Sequence, residues 1–277
     1  MRITSSPVRY RGPLRAVIFD FAGTVIDYGS CAPAAAFVEV FRRFDVDITT
    51  AEAREPMGRA KRDHIAAILS MPPVAQRWRS IHGTLPDETD IERLYEQFLP
   101  TQLDCLEEHC QLIPGTTEAV ADCRRRGLKI GSSTGYNRPL MNIVLPAATR
   151  QGFEPDCMLC ADDVAVGRPA PWMCLENARR MDVFPVAAIV KVDDTSVGIE
   201  AGRNAGMWTV GVTKSGNLIG LTGEQVQRVD PSELRQRIEA AEEVLFAAGA
   251  HYVVDTVAEL PPVLDDVQIR LAAGEGP

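Results

Sequence analysis

Short apolar runs separated by helical patterns set the layout of this chain. Residues 15–20, RAVIFD, are an apolar run that ends on a carboxylate, the pattern of a strand buried on both faces. The period then changes. Phe37, Val40, Phe41 and Phe44 recur at helical spacing, and no strand pattern is found between residues 31 and 111. Thr49-x-x-Glu52 and Thr89-x-x-Glu92 have the form of capping boxes, the second opening a long helix through Leu94, Phe98 and Leu103. Pro72-Pro73 and Leu85-Pro86 punctuate this region. From Pro114-Gly115 onward the chain alternates. Helices over 116–126, 138–151, 171–181 and 196–205 precede strands over 128–133, 156–160, 187–193 and 208–212. Helices over 222–248, a strand over 251–254 and a last helix complete the pattern. It predicts an α/β fold: a doubly wound parallel sheet covered on both faces, with an all-helical cap domain inserted after the first strand. The expected domains are a core of residues 1–28 and 112–277 and a cap of residues 29–111, which suits a chain of 277 residues.

In such sheets a ligand sits at the carboxyl ends of the strands. Asp20 ends the first strand, Ser132, Ser133 and Thr134 end the second, and Asp193 and Asp194 end a later one. Each alone reads better as a helix cap, since Asp and Thr are good N-caps. Together, at one edge, they read as a functional site. Asp20 and Asp194 can hold Mg²⁺, a hard ion that takes oxygen ligands. A free oxygen of Asp20 can attack phosphorus while the metal offsets phosphoryl charge. Thr134 and Arg168 suit phosphoryl oxygens, the guanidinium by its fork geometry.

Composition narrows the partners. A net charge of −9 leaves no basic footprint for nucleic acid, so an anionic substrate has to be met by local cations. No apolar run approaches the ~20 residues needed to span a bilayer. Seven cysteines at irregular spacing, behind an N-terminal stretch without an apolar segment, lead us to expect a reduced, cytoplasmic protein. Cys157-x-x-Cys160 has no partner pair at metal-ligand spacing, and His82, His109 and His251 read as surface, interface or packing residues. Lysine is rare here: only Lys61, Lys129, Lys191 and Lys214 among 29 basic residues. An amine can lose its proton and a guanidinium cannot, so each lysine invites a chemical question. Met57, Lys61 and His64 fall at i, i+4 and i+7, one face of a helix, which is either a solvated basic surface or a reactive amine with its neighbours. Lys191, alternating with Val190 and Val192, is the reserve amine.

The run VIFD, the Ser133-Thr134 pair, GRPAP with Arg168 and the Asp193-Asp194 pair resemble the four motifs of the haloacid dehalogenase superfamily. More narrowly, DFAGTVIDYG, REPMGRAKRDH, GSSTGYNR, GRPAPWMC and VKVDDTSVGIEAGRNAGMWTVGV resemble the phosphonoacetaldehyde hydrolases, from about residue 15 to about residue 260. The resemblance implies cleavage of a carbon–phosphorus bond, with Asp20 as nucleophile and Lys61 as a Schiff-base amine. It implies Mg²⁺ on Asp20, the backbone carbonyl of Ala22 and Asp194. It implies substrate contacts at Met57, Gly58, His64, Thr134, Gly135, Tyr136 and Arg168, a small-molecule phosphonate substrate and a homodimer. The chain departs from the pattern at Gly198, where some members carry a carboxylate; Asp193 is the candidate replacement. Phe21 and Val25 replace a Trp and a Thr. The competing readings are a phosphatase or dehalogenase on the same fold, and a non-catalytic binding module.

Overall fold

The computed structural model describes residues 10–106 and 109–277. The stretches 1–9 and 107–108, which fall inside the two expected domains, lie outside the described residues. Six parallel strands form one sheet in the order β3-β2-β1-β4-β5-β6. They are β1 (Ala16–Phe19), β2 (Lys129–Ser133), β3 (Cys157–Leu159), β4 (Ile189–Asp193), β5 (Trp208–Val212) and β6 (Tyr252–Val254). The order reverses at β1, whose two neighbours are β2 and β4. Such a switch point opens a crevice at the carboxyl edge.

Burial on both faces explains why β1 is apolar throughout. Val17 and Phe19 join one core with α6 (Thr116–Arg125), α7 (Arg138–Arg150) and α12 (Leu260–Ala273). Ala16 and Ile18 join the other, against α8 (Trp172–Arg180) and α9 (Ser196–Asn204). The predicted helical stretch over 222–248 is two helices, α10 (Gly223–Arg228) and α11 (Pro231–Ala247). They part at Asp230-Pro231, where proline opens α11 and the Asp230 carboxylate accepts the Ser232 and Glu233 N–H groups.

Between β1 and α6 the described residues form five α-helices: α1 (Cys31–Arg42), α2 (Thr50–Arg54), α3 (Lys61–Ser70), α4 (Pro72–His82) and α5 (Glu88–Leu106). They bury their own cluster, including Phe37, Phe41, Ile65, Trp78 and Phe98. The Thr49–Glu52 capping box forms as predicted. The second does not. Asp87 accepts the N–H groups of Thr89 and Asp90, so α5 begins at Glu88, just after Pro86, with Thr89 already inside the helix. The insert leaves and rejoins the sheet side by side, with the Asp27 N–H donating to Gln111 O at 3.2 Å and the Asp27 carboxylate 3.1 Å from His109 Nδ1.

Candidate active site

Strand register assembles the polar edge. Phe19 pairs with Ser132 on one side and Val192 on the other, so Asp20, Ser133 and Asp193 come next along three adjacent strands. Alternation along β4 puts Lys191 and Asp193 on one face, where Lys191 Nζ lies 2.8 Å from Asp193 Oδ2. Lys191 is thereby spent on a buried ion pair and does not line the cavity described below. Arg168 bridges the carboxylates. Its Nη2 donates to Asp20 Oδ1 at 2.5 Å and to the Ser133 carbonyl at 2.6 Å, and its Nη1 lies 3.3 Å from Asp193 Oδ2.

Asp20, Asp193 and Asp194 are all buried, with carboxylate oxygens within 4.8 Å of one another. Burial pushes Asp20 above the ordinary carboxylate range, against the opposing pull of Arg168. Asp194 is pushed well above it by burial and by the charges of Asp20 and Asp193. Its oxygens accept from Thr24 Oγ1 and the Asn217 N–H, and among the described residues no cationic side chain pairs with it. Burial alone would raise Asp193 too, but Arg168 and Lys191 hold it below its ordinary value. A buried, oxygen-only donor set with uncompensated negative charge at Asp194 fits a hard divalent cation such as Mg²⁺.

Lys61 is buried at the start of α3, its Nζ 5.0, 5.3 and 5.7 Å from the ring centres of Tyr136, Phe37 and Phe98. Burial pulls the amine down to about 7, with Asp20 opposing and Arg168 assisting. A small cavity joins the two halves of the site. Asp20, Ala22, Met57, Gly58, Lys61, Thr134, Gly135, Tyr136 and Arg168 line it, and so do Ser30, Pro33, Arg59 and Thr195.

Two sequence expectations change here. Met57 is not on the helix of Lys61. It sits in the turn before it, and both reach the cavity because Gly58 bends the chain with φ +91°. His64 does not line the cavity. It is fully buried, its ring stacked on Phe37 at 3.8 Å, with Nε2 2.8 Å from the Ala53 carbonyl and, among the described residues, no hydrogen-bond partner for Nδ1. Burial and the nearby Lys61 hold it well below the ordinary histidine range, so it is neutral. Sequence reasoning missed Thr24, Ser30, Thr195 and the 215–221 loop. Thr24 and Ser30 belong to the β1 loop and Thr195 follows the Asp193-Asp194 pair. The 215–221 loop follows β5 at the same carboxyl edge, a position that could have drawn notice.

Comparison with known proteins decides the family. The family model for haloacid dehalogenase-like hydrolases matches residues 14–206. The phosphonoacetaldehyde hydrolase of Paraburkholderia xenovorans is 47% identical over 264 residues, covering 95% of this chain and 99% of that protein. The chain belongs to the phosphonoacetaldehyde hydrolase family of the haloacid dehalogenase-like hydrolases. The enzyme is therefore a hydrolase. Another relative, the phosphonoacetaldehyde hydrolase of Hahella chejuensis, is 48% identical, covering 97% of this chain and 91% of that one. The crystal structure of a phosphonoacetaldehyde hydrolase-like protein from Oleispira antarctica superposes with a TM-score of 0.97 at 45% identity, covering 100% of both chains. A β-phosphoglucomutase from Clostridium difficile, at 20% identity and a TM-score of 0.67, shares the fold alone. No helix among the described residues is long and apolar enough to cross a membrane.

Proposed function

We propose that the chain hydrolyses the carbon–phosphorus bond of phosphonoacetaldehyde, giving acetaldehyde and phosphate. One observation carries this reading: a buried amine held near neutrality faces the same small cavity as a strand-end carboxylate. Breaking this bond expels carbon, and a bare carbanion is too unstable to leave. Neutral Lys61 adds to the aldehyde and, with loss of water, forms a Schiff base. Asp20 attacks phosphorus in line, giving an aspartyl phosphate. The electron pair of the broken bond passes to the iminium nitrogen, so the carbon departs as an enamine. Water then releases phosphate and restores Asp20. The enamine takes a proton at carbon, and hydrolysis of the imine frees acetaldehyde and Lys61.

Asp20, the backbone carbonyl of Ala22 and Asp194 would hold Mg²⁺, with Asp193 as the outer carboxylate that braces Arg168. When bound, the ion offsets negative charge on the phosphoryl oxygens. Thr134, Gly135 and Arg168 hold the phosphonate oxygens. Met57, Gly58 and Tyr136 shape the aldehyde side, and His64, neutral behind Lys61, keeps the amine's surroundings free of a second cation. Phosphatases of this superfamily carry an acid two residues beyond the nucleophile. Ala22 stands at that position, which suits a carbon leaving group that needs an electron sink.

The helical insert, residues 29–111, acts as the cap domain over a core of residues 1–28 and 112–277. A homodimer in the cytoplasm completes the proposal. The small side chains of Ala66, Ala67 and Ser70 along an open groove support the first, and the buried, unbridged thiols of Cys123, Cys157, Cys160 and Cys174 the second. The deciding assay measures phosphate and acetaldehyde from phosphonoacetaldehyde, with and without Mg²⁺, and traps the imine with borohydride. Equal release of both products, with Lys61 reduced covalently only when substrate is present, is expected. Turnover of simple phosphate esters without any trapped lysine would reassign the enzyme as a phosphatase.

A further inference from the structure

The geometry points to Arg54 and Asn217 as a pair of positioning residues that couple the seating of the helical insert to the orientation of Asp194. Arg54 ends α2 in the insert, and Asn217 lies in the loop after β5, at the edge of the sheet. The Asn217 backbone N–H donates to Asp194 Oδ2 at 2.7 Å. Its side chain faces the insert: Nδ2 donates to the Arg54 carbonyl at 3.2 Å, and Oδ1 accepts from Arg54 Nη1 at 3.0 Å. One buried residue therefore touches a carboxylate of the acidic cluster on one side and the insert on the other.

Arg54 finds no carboxylate among the described residues. Its charge is met by carbonyl dipoles at the seam, with Nη1 2.7 Å from Gly29 O and Nη2 3.2 Å from Gly220 O. Gly29 opens the insert and Gly220 belongs to the β5 loop, so the guanidinium is fully satisfied only while the insert is seated. The same Arg54 carbonyl also accepts the Met57 N–H at 3.0 Å, which ties the pair to the turn that carries Met57 into the cavity.

The loop is shaped for both contacts. A Cβ at Gly216 would stand 2.6 Å from Asp194 Cβ, and one at Gly220, where φ is +65°, would stand 2.8 Å from Arg54 Nε. Just before Gly216, the Ser215 carbonyl accepts the Gly29 N–H at 2.7 Å and its hydroxyl donates to Gly23 O at 3.1 Å. The loop thus joins the nucleophile loop, the acidic cluster and the insert. By linkage, seating the insert then strengthens metal binding, and metal binding holds the insert down by the same factor.

This inference rests on the proposed reading of Asp194 as a Mg²⁺ ligand. The test measures Mg²⁺ affinity by calorimetry on the full chain, for the wild type, Asn217→Ala, Arg54→Ala and the double variant. Amide hydrogen exchange is followed across residues 25–32 and 213–221. Asn217→Ala keeps the N–H that meets Asp194, so any loss it causes travels through the tether. Each single variant is expected to bind Mg²⁺ at least ~5-fold more weakly, the lower end for coupled sites. The double variant should be no worse than the weaker single one, and Mg²⁺ should slow exchange at the seam only in the wild type. Arg54→Lys keeps the charge but loses the fork, and its affinity should also fall if Arg54→Ala does not fold. Wild-type affinity and seam protection in Asn217→Ala, or effects that simply add, would overturn the coupling while leaving the proposed function intact. A wild type that binds no Mg²⁺ at all would remove the metal reading and this inference together.

Discussion

In the proposed reaction Lys61 owes its reactivity to what surrounds it. Rings of Phe37, Phe98 and Tyr136 replace water around its amine, and burial holds it at about 7 where an exposed lysine stays protonated. Only the neutral amine adds to an aldehyde, so its reactive fraction grows as pH rises through about 7. Single-turnover borohydride trapping should slow by about tenfold per pH unit below that point. Stability follows the same sign. Between about 7 and 10.5 the unfolded chain holds a proton that the folded chain releases, so the cost of burying this amine is fully present below 7 and relieved above 10.5. Lys61→Met is expected to stabilise the fold at neutral pH by roughly a few kcal/mol, seen as a higher melting temperature, while abolishing trapping. Lys61→Arg and Asp20→Ala should both lose turnover, the first for want of a neutral nitrogen and the second for want of a nucleophile. Near-normal rates in Lys61→Arg would exclude the imine.

The turn from β4 into α9 shows how an element accommodates a carboxylate. A Cβ placed on Gly198 would stand 2.0 Å from the Asp193 carboxylate carbon, so the Asp193 group fills the space that a side chain at 198 would take. From there it accepts the Thr195 N–H at 3.0 Å and hydroxyl at 2.7 Å while pairing with Arg168 and Lys191. The two positions thus exclude one another. Gly198→Asp should unfold at lower temperature and bind Mg²⁺ more weakly, because two carboxylates compete for one volume. Asp193→Gly should also lose stability, by ~3–5 kcal/mol, since buried Arg168 and Lys191 lose a partner. The double variant Asp193→Gly/Gly198→Asp should recover much of both properties. Additive losses in thermal melts and Mg²⁺ titrations would show that the two sites are independent.

Seen whole, the molecule is a sheet packed on both faces and a helical insert with a core of its own, with a charged seam between them. The sheet presents three buried carboxylates upward, and the insert brings a buried amine down to meet them. Without a cation the acidic cluster strains the fold, because burial and mutual repulsion both oppose charge on Asp194. Mg²⁺ is expected to raise the melting temperature with increasing concentration, and a chelator to lower it and stop turnover. Asp194→Asn removes one of the crowded charges. It should melt higher than the metal-free wild type and lose the response to Mg²⁺. A variant that still responded would move the metal away from Asp194.

Much of this was legible in the residues. An apolar strand ending on Asp20, alternation after Pro114, Arg168 between strands and a lone lysine in an arginine-rich insert depend on local pattern, and local pattern survives folding. The turn at Met57, the withdrawal of His64 from the cavity, the start of α5 at Glu88 and the capture of Lys191 by Asp193 did not show in it. Each depends on which groups meet across long stretches of chain, or on a competing cap nearby. The same is true of the amine's neutrality. Spacing nominated Lys61, but the rings that drive off its proton come from positions 37, 98 and 136, and only packing brings them to one place.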